Sequence, residues 1–253
     1  MVKATLSEGA GPSEMAPESS PATAVGAHPG RASYFLRGTL ALVFLLGFGI
    51  RLYGLKNPPL DFNAVVQLRS ALIARGIYYR LDTSADPVLR QQAIGLGTLD
   101  PLEPSILESI VGFTDWVVGA ENLWVSRIYT ALFWVVGGIA LFALARRMAS
   151  FSASLLGVAF YLFLPFGVVA SRSFQPDPGM VMWILLSAYA FYRWSEALDG
   201  PRRQAWTWCL LAGVLGGIAI LVKVVAGFFI MGMLAGVVLY RVGLRRLFKL
   251  PYP

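Results

Sequence analysis

Histidine and cysteine are almost missing from these 253 residues, and charge is scarce. The single cysteine, Cys209, lies in an apolar stretch, so an intrachain disulfide is excluded. The single histidine, His28, stands in a polar N-terminal segment, which leaves the body of the chain without an imidazole for metal binding or proton transfer. Acid–base chemistry must therefore rest on carboxylates. Charged residues make up only 14% of the chain and hydrophobic ones 57%, a balance unlike that of a soluble domain. The formal charge of +7 suggests no nucleic-acid partner, because the basic residues are scattered at the ends of apolar stretches and build no aromatic-laced basic face.

What the chain does have is long apolar runs. A helix needs about 20 mostly apolar residues to cross a hydrocarbon core. The runs predict an all-α, polytopic transmembrane bundle with six spans, at residues 34–53, 123–145, 152–170, 179–194, 206–222 and 224–240. Residues 1–33, rich in Ala, Ser, Gly, Pro and Glu, are expected to form a disordered cytoplasmic tail. Arg51 is placed to snorkel at the far end of the first span. Gly213 with Gly217, and Gly232 with Gly236, have the spacing that lets helices approach closely.

Basic clusters fall at alternate ends of the spans: Arg31 and Arg37, Arg146 and Arg147, Arg193 with Arg202 and Arg203, then Arg241, Arg245, Arg246 and Lys249. The positive-inside rule then makes the N-terminus cytoplasmic and residues 56–122 the first extracytoplasmic loop of a cell-membrane protein. Inside that loop, Val65, Leu68, Leu72 and Ile73 recur at helical spacing, as do Ile106, Leu107, Ile110 and Val111. Two amphipathic helices lying on the membrane surface are expected there. Asp86-Pro87 and Asp100-Pro101 read as turns.

On this topology Asp61, Arg69, Glu103, Arg127, Arg172, Asp177 and Lys223 share the outer level, a set suited to a polar substrate carrying phosphate. Each also has a plain structural reading. Asp61 suits the N-cap of the helix that begins near Asn63, and Glu103 before Pro104 favours a helix N-terminus. Arg172 and Asp177 in SRSFQPDPGM fit a capped turn with a surface ion pair, and Lys223 can snorkel to the interface.

Over residues 36–230 the sequence is similar to GT-C glycosyltransferases of the protein O-mannosyltransferase and lipid A aminoarabinose transferase kind. The matching pieces, in order, are RLYGLKNPPLDF, SALIARGIYY, LEPSILESIVGF, VSRIYTALF, ALARRM, FLPFGVVASRSFQPDPGMVMW and LAGVLGGIAILVK. The resemblance implies transfer of a sugar, with inversion, from a polyprenyl-phosphate donor to a lipid, glycan or protein acceptor on the outer face. It makes Asp61 the catalytic carboxylate, as general base or acceptor-positioning group. It makes Glu103 and Asp177 acceptor or metal-site residues, so that Asp61, Glu103 and Asp177 would hold a divalent metal ion where one is used. Arg172 and Lys223 become candidates for the donor phosphate.

Relatives often carry His and Arg where this chain has Asn63 and Val66, while Gln67 and Ala74-Arg75 fit the pattern. Arg69, nearly on the face of Val66, is a replacement cation and a third phosphate candidate. The C-terminal part of the family pattern is expected to be absent. The alternative, from another class, is a non-catalytic membrane protein that binds or transports lipid-linked sugars, or a partner subunit of a transferase.

Overall fold

A computed structural model describes residues 31–98 and 103–242. Expectations for the tail up to residue 30, Asp100-Pro101 and the basic residues after Arg241 lie outside those residues. The chain divides into a unit of residues 1–37, of which only the opening turns of the first helix are described, and a unit of residues 38–253 that holds everything below.

The described residues are helical and contain no strand, as the apolar patterning predicts. Helix α1 (Arg31–Gly49) ends in a 3-10 turn at Ile50–Leu52. In the following loop region lie α2 (Ala64–Leu81), α3 (Pro87–Leu96) and α4 (Ile106–Val118). Then come α5 (Leu123–Met148), α6 (Phe151–Phe163), α7 (Pro165–Ala170), α8 (Asp177–Ala197), α9 (Arg202–Val222) and α10 (Ala226–Val242). Three helical stretches, Tyr34–Leu52, Leu123–Met148 and Arg202–Val222, are long and apolar enough to cross a membrane, and two shorter helices, Phe151–Phe163 and Ala226–Arg241, are also apolar. The protein is thus an integral membrane protein with a multi-pass helical bundle.

Local chemistry explains where the helices depart from the expected boundaries. The span expected at 152–170 is broken into α6 and α7, because the residue before a proline is driven out of the helical region and Leu164, ahead of Pro165, is extended. Asp86-Pro87, expected as a turn, starts α3 instead. The Asp86 side chain accepts from the N–H groups of Val88 at 2.9 Å and Leu89 at 3.0 Å, and Pro87 takes a first-turn position that needs no N–H.

In the second unit, α8 packs against α5, α9 and α10 around Met180, Ala190, Ala212, Ala219 and Ile230. The close approach on α9 is made by Ala212, Gly216 and Ala219; a methyl on Gly216 would sit 3.2 Å from Ser187 Oγ. Gly213, Gly217, Gly232 and Gly236, expected to serve this purpose, have nothing within 4 Å of an added methyl among the described residues. Their spacing is right but they lie on other faces.

Helix α2 packs on α4, with Ala74, Leu107, Val111, Val125 and Phe174 forming a second core. Gly112 permits this contact, since a methyl there would lie 2.6 Å from the carbonyl oxygen of Ala74. Arg51 does not snorkel. It is fully buried, donating from Nε to Ser171 Oγ at 2.6 Å and from Nη1 to the Gly47 carbonyl, and so ties the end of α1 to the segment before α8.

Ion pairs show how the ends of the helices are matched. Arg147 near the end of α5 and Arg193 in α8 both meet Glu196, while Arg241 near the end of α10 meets Asp199 after α8. At the other end, the start of α8 meets the end of α9. Helices α5, α8 and α10 therefore run parallel, with α9 antiparallel to them, and the Arg-rich loops gather at one end. That leaves Arg127, Arg172, Asp177 and Lys223 for the opposite end.

Candidate active site

The loop after α1 is shaped for two arginines. Gly54 has φ +63°, and a methyl there would lie 2.7 Å from Asn57 Nδ2, so glycine is required. Its carbonyl accepts from Arg127 Nη1 at 2.8 Å and Arg172 Nη2 at 3.3 Å, and the carbonyl of Pro58 accepts from Arg127 Nη2 at 3.2 Å. Asp61 follows on the same loop. Its Oδ1 lies 3.6 Å from Arg127 Nη2 and its Oδ2 3.8 Å from Arg172 Nε, distances of ion pairs rather than hydrogen bonds. The Asp61 side chain is 37% exposed, whereas that of Arg127 is 2% exposed. A buried cation thus backs an accessible carboxylate.

Asp61 is not a cap. Helix α2 begins at Ala64, and its cap position is Asn63, in the left-handed region at φ 49° and without a side-chain capping hydrogen bond. The residue that fixes Asp61 is Gln67, fully buried one turn into α2. Its Nε2 donates to the Phe62 carbonyl and reaches Asp61 Oδ1 at 3.4 Å, and its Oε1 accepts from the Phe174 N–H at 3.0 Å. One amide thereby joins the Asp61 loop to the segment that carries Arg172.

Asp177 is the first residue of α8, where a negative charge suits the helix dipole, and Lys223 lies just past the end of α9, where a positive one does. Lys223 Nζ is 3.0 and 3.1 Å from the two oxygens of Asp177 and 3.8 Å from Glu103 Oε1. Lys223 is therefore paired rather than simply snorkelling. The surface pair expected between Arg172 and Asp177 does not form, because Arg172 turns to Asp61 and Asp177 to Lys223.

These partnerships bear on the expected metal ion. Glu103 and Asp177 converge on the Lys223 ammonium, while Asp61 faces two guanidinium groups. Among the described residues no three His, Cys, Asp or Glu side chains are grouped to hold a metal. Asp61, Glu103 and Asp177, as arranged, are bound to organic cations and do not fit a divalent ion.

Arg69 does not replace a cation at Asp61. It lines a cavity of about 30 Å³ with Glu103, Glu108 and Pro176, room for about one water, and its Nε has no hydrogen-bond partner among the described residues. Glu108 is buried and accepts from Ser70 Oγ at 2.7 Å; burial pushes its carboxyl above the usual range. Glu108 has no role in the sequence reading, and Arg127 none beyond its level in the membrane. Arg127 carried a usable signal, an arginine one turn inside an apolar span, which demands partners. The largest cavity described, about 1020 Å³, lies at the Arg-rich end of the helices, away from these groups, and its charges are paired with one another.

The model of the family described as dolichyl-phosphate-mannose-protein mannosyltransferase matches residues 109–253. The match includes Arg127, Arg172, Asp177 and Lys223 and begins after Asp61, Arg69 and Glu103. No curated protein and no solved structure matches the chain. The chain belongs to the dolichyl-phosphate-mannose-protein mannosyltransferase family.

Proposed function

We propose that this member of the dolichyl-phosphate-mannose-protein mannosyltransferase family transfers a sugar from a polyprenyl-phosphate donor to a polypeptide hydroxyl on the extracytoplasmic side of the membrane. The observation that carries the reading is the accessible carboxylate of Asp61 set between the guanidinium groups of Arg127 and Arg172. The Arg-rich loops gathered at the other end of the helices support the orientation, by the positive-inside rule.

In this reading Asp61 takes the proton of the acceptor hydroxyl as its oxygen forms a bond to the anomeric carbon. The bond from that carbon to the phosphate oxygen breaks on the opposite face, so configuration inverts, and the electron pair leaves with the polyprenyl phosphate. Charge builds on that phosphate in the transition state, where fixed cations act most strongly. Arg172 is the best-placed cation, because among the described residues its guanidinium makes a single, long hydrogen bond to a carbonyl and only a 3.8 Å ion pair with Asp61. Arg127 is committed to two backbone carbonyls and holds the loop. Lys223 reaches a phosphate only in exchange for Asp177 and Glu103, so it serves the donor second to Arg172.

The test is transfer from polyprenyl-phosphate mannose to serine peptides by the full chain in lipid nanodiscs, comparing wild type with Asp61→Asn. Loss of a general base costs ~10²- to 10⁴-fold in rate. Wild-type transfer by a well-folded Asp61→Asn variant would remove Asp61 from the chemistry.

A further inference from the structure

Beside the Asp61 loop, α2, α4 and the start of α5 enclose a separate cavity of about 500 Å³. Its walls are apolar, with Leu72 from α2, Val111 from α4 and Phe174 from the segment that Gln67 holds. Three charged groups line it: Arg75, Asp115 and Glu121.

Two of the three form an ion pair, although Arg75 Nε makes no hydrogen bond among the described residues. Arg75 Nε lies 3.1 Å from Glu121 Oε2 and its guanidinium stands 5.6 Å from the ring centre of Tyr79. Asp115 is left over. It is only 5% exposed, and among the described residues its Oδ1 has no hydrogen-bond partner and the backbone N–H of Asn122 alone favours its charged form. It also lies in the last turn of α4, where the helix dipole disfavours a negative charge. A buried, unpaired carboxylate at the wrong end of a helix lowers stability, so packing does not account for it.

The cavity therefore carries one uncompensated negative charge at the end of an apolar-walled space. Its complement is a cation on an alkyl stem. We propose that this cavity is a subsite for a lysine or arginine side chain of the polypeptide acceptor, with Asp115 as its anionic partner. The inference rests on the reading of a polypeptide acceptor given above. It makes substrate choice depend on a basic residue near the modified hydroxyl, read by a group that takes no part in bond making.

The test uses serine peptides, each with one lysine at a different distance from the serine, and counterparts with norleucine, which keeps the stem and deletes the charge. Binding of fluorescent peptides to the full chain in phosphatidylcholine nanodiscs is followed by anisotropy, without donor. At least one lysine position should bind about tenfold more tightly than its norleucine counterpart. Asp115→Asn should abolish that preference while leaving the norleucine peptides unchanged. No measurable binding, equal binding of both peptides, or a preference that survives in Asp115→Asn would each overturn the subsite. Displacement of the lysine peptide by phosphatidylethanolamine, with none by phosphatidylcholine, would reassign Asp115 to a lipid amine and also overturn it. Transfer is measured separately: a wild-type chain that modifies no peptide defeats the acceptor reading, whereas one that modifies lysine and norleucine peptides with the same KM defeats the subsite alone.

Discussion

Gln67 Oε1 accepts a hydrogen bond from the backbone N–H of Phe174 at 3.0 Å, joining α2 to the segment before α8. Both residues are buried, so this contact helps to hold the Asp61 and Arg172 loops in their relative position, beside the contact of Arg172 with the Gly54 carbonyl.

Replacing Gln67 with Leu keeps the bulk and deletes both hydrogen-bonding ends. Stranding the Phe174 N–H should cost about 1–3 kcal/mol. Sugar transfer should fall with it, because Asp61 and Arg172 lose one of the contacts that hold them together. Thermal unfolding and transfer rate together check this; unchanged values for both would show that the amide holds nothing.

Lys223 has two separable roles. If its pairing with Asp177 is structural, Lys223→Met and Asp177→Asn should be less damaging together than the sum of each alone, with a coupling of ~0.5–3 kcal/mol in unfolding. If Lys223 also serves the donor phosphate, Lys223→Met should weaken binding of polyprenyl-phosphate mannose even in the Asp177→Asn background. Additive unfolding effects would refute the first role, and unchanged donor affinity the second.

Burial, and secondarily the charge of Glu121, raises the Asp115 carboxyl from 3.8 to about 6, against the opposing N–H of Asn122; Arg75 is engaged by Glu121. A carboxyl whose folded pKa is raised stabilises the fold below its unfolded pKa and loses that contribution as pH rises through the folded value. Wild type should therefore lose stability between pH ~4 and ~6 relative to Asp115→Asn, by on the order of 2–3 kcal/mol. Above that window the difference should be constant. Thermal unfolding of both proteins across this range, without peptide, is the check; a pH-independent difference would contradict the burial argument.

Ser84, exposed between α2 and α3, and Ser150, exposed between α5 and α6, report orientation. In a Cys209→Ser background, cysteine at position 84 should react with an impermeant thiol reagent from outside intact cells, and cysteine at position 150 only after permeabilisation. Labelling of both from one side would reverse or break the proposed topology.

The membrane-spanning character of α1, α5 and α9 was legible in sequence because hydrocarbon demands an unbroken apolar stretch, which composition records directly. The α6–α7 break was also written there, in Pro165. Helix α3 was not recognised because Asp86-Pro87 signals a turn and a helix start equally well. At the site, Asp61, Glu103, Arg172, Asp177 and Lys223 were legible as charges at one level. Glu108 and Asp115 were hidden, since a carboxylate in an amphipathic helix looks solvated until the facing helix is known.

By itself the sequence determined that this chain is helical, enters the membrane repeatedly and carries its basic loops at alternate span ends, because each of these follows from residues close together along the chain. Which cation meets which carboxylate was decided only by tertiary structure. Asp61 reaches Arg127 and Arg172, and Glu103 meets Asp177 at Lys223, across separations that no spacing rule spans. The packing of α8 between α5 and α9 sets those partners, and the packing of α4 on α2 leaves Asp115 without a cation among the described residues. Electrostatic pairing acts over a few ångströms of space, and only the folded chain determines what lies within that distance.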